Sequence, residues 1–324
     1  MEKAQKILIA GFGDIGERVA RKLHHMRHYR VMALVRKSCG KSRRSIIAKT
    51  LGVQLVRGDL SKLRSLQKLR GLADTILHFA PPPGTGATDT HTEHLLAALS
   101  GAPRSYALQK KMLPRRIVYI STTGVYGSCH GEWIDETRPL KPESARAKRR
   151  VDAECRLRKW GRLNDVSITI LRAPGIYGQD RLPIDRLKRQ IPVLIAAEDV
   201  FTNHIHTDDL TAAVFNAMRQ RHPKRYRVFN VVDDNELRMG DYMDAVADAF
   251  GVARPPRISR PEAEGRIAPM LMSFMRESRR IRNARVKREL KLALKYPTLA
   301  SVLAAIPPTD STPLISVRAE TRLR

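Results

Sequence analysis

Cysteine is scarce in this chain, aromatic residues are few and acidic residues are heavily outnumbered. The 324 residues include three cysteines, Cys39, Cys129 and Cys155, widely spaced and odd in number. That argues against a disulfide framework or a zinc site and fits a reducing, cytoplasmic compartment. No apolar run is long enough to cross a bilayer. The opening MEKAQKILIAGFGDIG reaches its glycines too soon for a signal peptide or a membrane span. Aromatics make up 5% of the chain, poor material for stacking unpaired bases. Against 32 Asp and Glu stand 60 Lys and Arg, a net charge of +28. Such a surplus attracts phosphate groups. The basic residues are spread along the whole chain, so a nucleic-acid partner is not expected, although the charge does not exclude one.

What is present is a 42% hydrophobic content, enough for a sizeable core. Short apolar runs alternate with helical spacing. KILIAGFG, YRVMALVR, VQLVRGDL, DTILHFAPPPG, RRIVYISTTGVYG and VSITILRAPGIYG read as strands. Between them lie helical stretches such as ERVARKLHHM and HTEHLLAALS. Strands separated by helices of this length predict an α/β fold, a parallel sheet covered on both faces with right-handed crossovers. Past residue 180 the rhythm loosens to helix, short strand, loop and helix, then the strand YRVFNVVD and the helix RMGDYMDAVADAFG. Residues 269–295 read as helical and very basic, and residues 306–324 as a mobile tail. No internal repeat is visible.

AGFGDIG sets Gly11, Gly13 and Gly16 in GxGxxG spacing between an apolar strand and an amphipathic helix. Gly11 permits a tight turn, Gly13 lets the backbone approach a pyrophosphate, and Gly16 lets helix and strand pack closely. The pyrophosphate meets the N–H groups of the helix N-terminus. About twenty residues on, where an acid would hold the ribose hydroxyls of NAD, stand Arg36 and Lys37. Two cations there suit the 2′-phosphate of NADP, which makes NADP the expected cofactor ahead of NAD. The alternative is a pair of solvated charges. Asp59, ending the third strand, is placed to reach the adenine amine.

STTGVYG, LRAPGIYG, NHIHTDDL and YRVFNVVD fall in an order that resembles the extended and atypical short-chain dehydrogenases/reductases, the NAD-dependent epimerase/dehydratase type. The likeness covers about residues 5–300. It implies a Rossmann-type doubly wound sheet in residues 1–178, with the active site there. A mainly substrate-binding α+β part follows in 179–305, with segments returning to the sheet. It also implies that Phe12, Asp14 and Ile15 of the glycine loop, Leu60, Ala80 and Pro81, and Pro174 and Ile176 lie beside the cofactor. Thr122 matches the family's substrate-binding Ser/Thr. The family's YxxxK then falls on Ser144 and Lys148, so Lys148 is expected on the nicotinamide ribose and the catalytic tyrosine is missing. A serine hydroxyl cannot replace a phenol of pKa ~10 without a base beside it. Tyr126 and His130 are the nearest substitutes in sequence; the alternative is a packed pocket-wall tyrosine and a loop histidine. Thr123-Gly124, where the family's dehydratases carry Asp-Glu, disfavours sugar dehydration. Pro81, Pro82 and Pro83 depart from the family's small residues and mark an atypical branch.

The expected function is an NADP-dependent oxidoreductase or epimerase-like enzyme acting on a small polar substrate, with a nucleotide sugar as one candidate. Two other readings stand beside it: a non-catalytic NADP sensor or scaffold, and a basic nucleic-acid-associated protein with a vestigial cofactor fold. No metal is expected, and a homodimer is left open.

Overall fold

The computed structural model describes residues 4–36, 42–101, 112–220 and 225–306. Lys37, Cys39 and the tail expected at 306–324, beyond its first residue, lie outside the described residues. Seven strands form one sheet: β1 (Gln5–Ala10), β2 (Tyr29–Val35), β3 (Gln54–Arg57), β4 (Thr75–His78), β5 (Arg116–Thr122), β6 (Ser167–Ala173) and β7 (Tyr226–Asn230). Their order is β7-β6-β5-β4-β1-β2-β3, parallel throughout. This is the doubly wound Rossmann arrangement. The strand order reverses between β1 and β4, where such sheets open a crevice at the carboxyl ends of the strands.

Both faces of the sheet are covered, and β1 shows why its sequence is apolar throughout. Ile7 and Ile9 enter one core with Val19 and Leu23 of α1 (Asp14–His24). Leu8 and Ala10 enter the other, with Leu95 and Leu99 of α3 (Thr90–Ser100). Between them in the chain, α2 (Arg43–Thr50) begins at a Ser42 cap. On the face of α3 lies α4 (Ala145–Asn164), whose Ala153 and Leu157 are fully buried. On the face of α1 lies α5 (Thr207–Arg219) with Val214 and Met218. The C-terminal end of α5 is capped by Arg116, whose guanidinium donates to the carbonyls of Ala217, Met218 and Gln220.

A separate core gathers Tyr177, Leu187, Val193, Tyr242, Val246, Met272 and Val302, all from residues after β6. Residues 269–295 do not form the continuous helix that their composition suggests. Pro269–Met275 and Ala284–Leu290 are helical, and Arg280–Ile281 between them is a short strand parallel to Trp133–Ile134. The Ser278 carbonyl accepts from the N–H groups of Cys129 and Gly131, at 2.9 and 3.0 Å. Pairing with the loop after β5 therefore replaces the helical bonds of residues 276–283. Among the described residues no helix is long and apolar enough to cross a membrane.

Candidate active site

The glycine loop joins β1 to α1 at the crevice. Gly11 has φ +108°, and a Cβ there would lie 2.4 Å from the Ala80 nitrogen at the end of β4. Only glycine allows β1 and β4 to approach this closely. A Cβ on Gly16 would meet the Gly11 carbonyl oxygen at 2.9 Å, so the third glycine closes helix onto loop. Gly13 differs: nothing lies within 4 Å of a Cβ built there. It is the N-cap of α1 and supplies no side-chain cap, which leaves first-turn N–H groups facing open space. That opening fits a dinucleotide pyrophosphate.

A cleft of 1460 Å³ runs from this loop across the ends of β2 and β3. Gly11, Phe12, Gly13, Arg36, Asp59, Leu60, Ala80 and Pro81 line it, so eight residues singled out in the sequence meet in one place. Arg43, Arg44, Arg57, Lys62 and Lys68 line it too. Sequence reasoning missed these five because they come from three segments, and only the stretch SRRS at residues 42–45 hinted at a second basic group beside Arg36. Asp59 is the carboxylate of the cleft. The Ser61 N–H and hydroxyl donate to it at 3.0 and 2.8 Å. With Arg36 and Lys62 nearby, these bonds hold it below the ordinary carboxylate range.

Other candidates shape the loop without lining the cleft. Ile15 is packed in the core, and Asp14 pairs with Arg18 and Arg181. Pro174 and Ile176 follow β6 and are half-buried. The proline loop is pinned at two points. His91 Nδ1–H donates to the Pro81 carbonyl at 2.9 Å, and the buried Arg149 donates to the Gly84 and Gly86 carbonyls at 3.3 and 2.7 Å.

Thr122 ends β5 half-exposed, and its hydroxyl accepts from the Gly124 N–H at 3.2 Å. Its own O–H remains available to a substrate oxygen. Tyr126 does not fit the role of a substitute acid. It is 1% exposed. Its hydroxyl donates to Asn230 Oδ1 at 2.7 Å and accepts from Arg172 at 2.8 Å. Burial pushes the phenol up. Arg172 is in turn paired with Glu154 at 2.6 Å, and Ser121 donates to the same carboxylate. Tyr126 belongs to a sealed polar network. His130 is exposed in the loop beyond.

The model of the NAD dependent epimerase/dehydratase family matches residues 7–231. The chain belongs to this family. Among curated relatives, dTDP-glucose 4,6-dehydratase of Streptomyces antibioticus is 24% identical over 217 residues, 62% of this chain and 62% of that protein. The match thus spans about three fifths of that relative's length. A conserved protein of unknown function from Silicibacter pomeroyi is 27% identical with TM-score 0.72, covering 93% of this chain and 97% of that one. UDP-glucuronic acid 4-epimerase from Bacillus cereus, solved with UDP-glucuronic acid and NAD, shares the fold at TM-score 0.72 and 19% identity, covering 93% and 97%.

For this epimerase/dehydratase family member the YxxxK assignment needs correction. Ser144 is the N-cap of α4, its hydroxyl accepting from the Ala147 N–H at 3.2 Å. Lys148 is exposed, and no contact of its side chain is seen among the described residues. The same i,i+4 spacing recurs two residues later in Arg146 and Arg150. Arg150 turns toward the end of β5, donating to the Tyr119 hydroxyl at 2.8 Å and the Ile120 carbonyl at 2.9 Å. Arg146 stacks its guanidinium over Phe274 at 4.6 Å. Ser144→Ala should therefore lower stability by about 1 kcal/mol through loss of the cap. Both it and Lys148→Ala should leave cofactor affinity unchanged. Chemical denaturation and a fluorescence titration check the two halves, and a tenfold loss of cofactor affinity in Lys148→Ala would return that lysine to the nicotinamide ribose.

Proposed function

We propose that the protein is an NADP-dependent oxidoreductase or epimerase-like enzyme of the extended short-chain dehydrogenase type, acting on a nucleotide sugar or a similar small polar substrate. The cofactor reading rests chiefly on Arg36, which stands in the cleft with five further cations where an NAD-selective site would carry an acid. A 2′-phosphate gains charge-assisted hydrogen bonds in such surroundings. Gly11, Gly13 and the first turn of α1 would hold the pyrophosphate, and Asp59 the adenine amine. When bound, the nicotinamide supplies hydride acceptance and return. Thr122 binds and orients the reacting oxygen, and Arg150 takes the place assigned to the family lysine on α4. Residues 1–178 carry the cofactor and 179–305 mainly the substrate. The substrate class is supported by the relatives, whose names are those of enzymes of nucleotide sugars.

A second reading, a non-catalytic NADP sensor, is favoured by one observation: no tyrosine stands beside Thr122 on α4. Adding dTDP-glucose, UDP-glucose and UDP-glucuronic acid in turn to the NADP-loaded protein separates the two. The enzyme reading expects substrate-dependent reduced-nicotinamide absorbance or a changed sugar in at least one case. Tight NADP binding with no conversion of any sugar selects the sensor.

A further inference from the structure

The frame around Thr122 needs a group that takes up and returns a proton, and the phenols near β5 are sealed. Tyr126 is fixed between Arg172 and Asn230. Tyr119 is buried, accepts from Arg150 and is pushed up to about 12 by burial. A carboxylate approaches from elsewhere in the chain. A Cβ built on Gly124 would lie 3.5 Å from Thr122 Oγ1 and 3.8 Å from Glu277 Oε2. Those two oxygens therefore flank one small space and stand at most about 7 Å apart, a bound that includes the roughly 5–6 Å at which one substrate hydroxyl hydrogen-bonds to both. The absence of a side chain at Gly124 keeps that space open.

Glu277 is held for such a role. Its side chain is 9% exposed. Oε2 accepts from Arg279 Nη1 at 2.8 Å, and the same nitrogen donates to the Gly127 carbonyl at 2.7 Å. The Ser278 carbonyl next to it is tied to the N–H groups of Cys129 and Gly131. The loop that carries Thr122 is thus clamped, bond by bond, to the segment that carries Glu277. Oε1 takes no hydrogen bond among the described residues. Arg146 lies within electrostatic reach of the carboxylate.

We infer that Glu277 is the acid–base residue of this site, exchanging a proton with the substrate hydroxyl that Thr122 orients. This rests on the proposed function. As the alcohol is oxidised its O–H bond breaks and the proton forms an O–H bond with the Glu277 carboxylate. The C–H electron pair leaves as hydride to the oxidised nicotinamide dinucleotide, which is the oxidant. Reduction returns both. The carboxylate comes from about 150 residues beyond Thr122, in a segment whose composition reads as helix, so sequence spacing gives no sign of it.

Glu277→Gln keeps the shape and can still accept from Arg279, but cannot take the proton. With the sugar that the wild type converts, kcat should fall about a hundredfold or more, KM should change by less than about threefold, and the acid limb of the pH–rate profile should vanish. NADPH affinity should match wild type, and the melting temperature should fall by only a few degrees, since the Arg279 guanidinium loses its counter-charge but keeps its bonds to the new amide oxygen and the Gly127 carbonyl. Glu277→Asp should recover part of the rate. Independently of turnover, adding UDP-glucose to the NADP-loaded wild type should shift a carboxylate infrared band that Glu277→Gln lacks. Wild-type kcat and pH profile in Glu277→Gln would overturn the inference with the proposed function intact. Failure of the wild type to convert any nucleotide sugar, with no carboxylate shift, would overturn both.

Discussion

Gly13→Ala should leave the melting temperature within a degree or two of wild type and lower dinucleotide affinity about a hundredfold, roughly 2.7 kcal/mol. The two effects separate because of where the new methyl would stand. Gly13 has φ −98°, which any residue adopts, and no atom lies within 4 Å of the added Cβ. The folded protein accommodates it. A pyrophosphate resting against the backbone does not, since the methyl occupies the contact distance between peptide and phosphate. Gly11→Ala should behave in the opposite way. There the Cβ meets the Ala80 backbone at 2.4 Å with φ at +108°. The approach of β1 to β4 must give, at about 3 kcal/mol or more of stability. Thermal denaturation beside a cofactor titration of both variants checks the pair. A Gly13→Ala protein that binds NADPH and NADH as wild type does would show that the glycine loop holds no pyrophosphate.

Arg172→Met should cost about 3–5 kcal/mol, a large share of an ordinary protein's stability and roughly 10 °C in melting temperature. Arg172 and Glu154 form an ion pair with side chains 5% and 2% exposed. Removing the guanidinium strands the carboxylate in the core with the Ser121 hydroxyl as its remaining partner, and takes a donor from Tyr126. The cost is that of an uncompensated buried charge, more than of the lost attraction. Replacing Glu154 by Met as well should therefore recover much of the loss. Urea denaturation of the single and double variants measures both. An Arg172→Met cost below about 1 kcal/mol would mean that the network is not sealed, and would reopen Tyr126 as a catalytic candidate.

The sheet was legible because its signals are local. Apolar strand, GxGxxG and amphipathic helix occupy the first 24 residues, and each later strand is an apolar run ending in a turn. The cofactor loop was legible for the same reason. The inward-facing positions of α4 were not, because SARAKRR holds the i,i+4 spacing twice, in Ser144 with Lys148 and in Arg146 with Arg150. Which pair faces inward is decided by the Ser144 cap and by the burial of Ala147, Arg149, Ala153 and Leu157 along one side of α4. Those are facts of packing. The choice for Tyr126 between substitute acid and packed tyrosine was not legible, because the partners that seal it, Arg172 and Asn230, lie 46 and 104 residues away. The basic wall of the cleft is likewise assembled from α2, the end of β3 and the turn after it. The break at residues 276–283 follows from pairing with Trp133–Ile134, which no local propensity records.

The basic cleft should hold a dinucleotide with a 2′-phosphate, from which the hydride chemistry at Thr122 would follow. Parallel equilibrium titrations of NADPH and NADH into the wild type and into Arg36→Ala test it most directly. The wild type should bind NADPH at least tenfold tighter, about 1.4 kcal/mol or more, and Arg36→Ala should lose most of that preference while keeping its affinity for NADH. Equal affinities in the wild type, or a preference for NADH that survives Arg36→Ala, would contradict it.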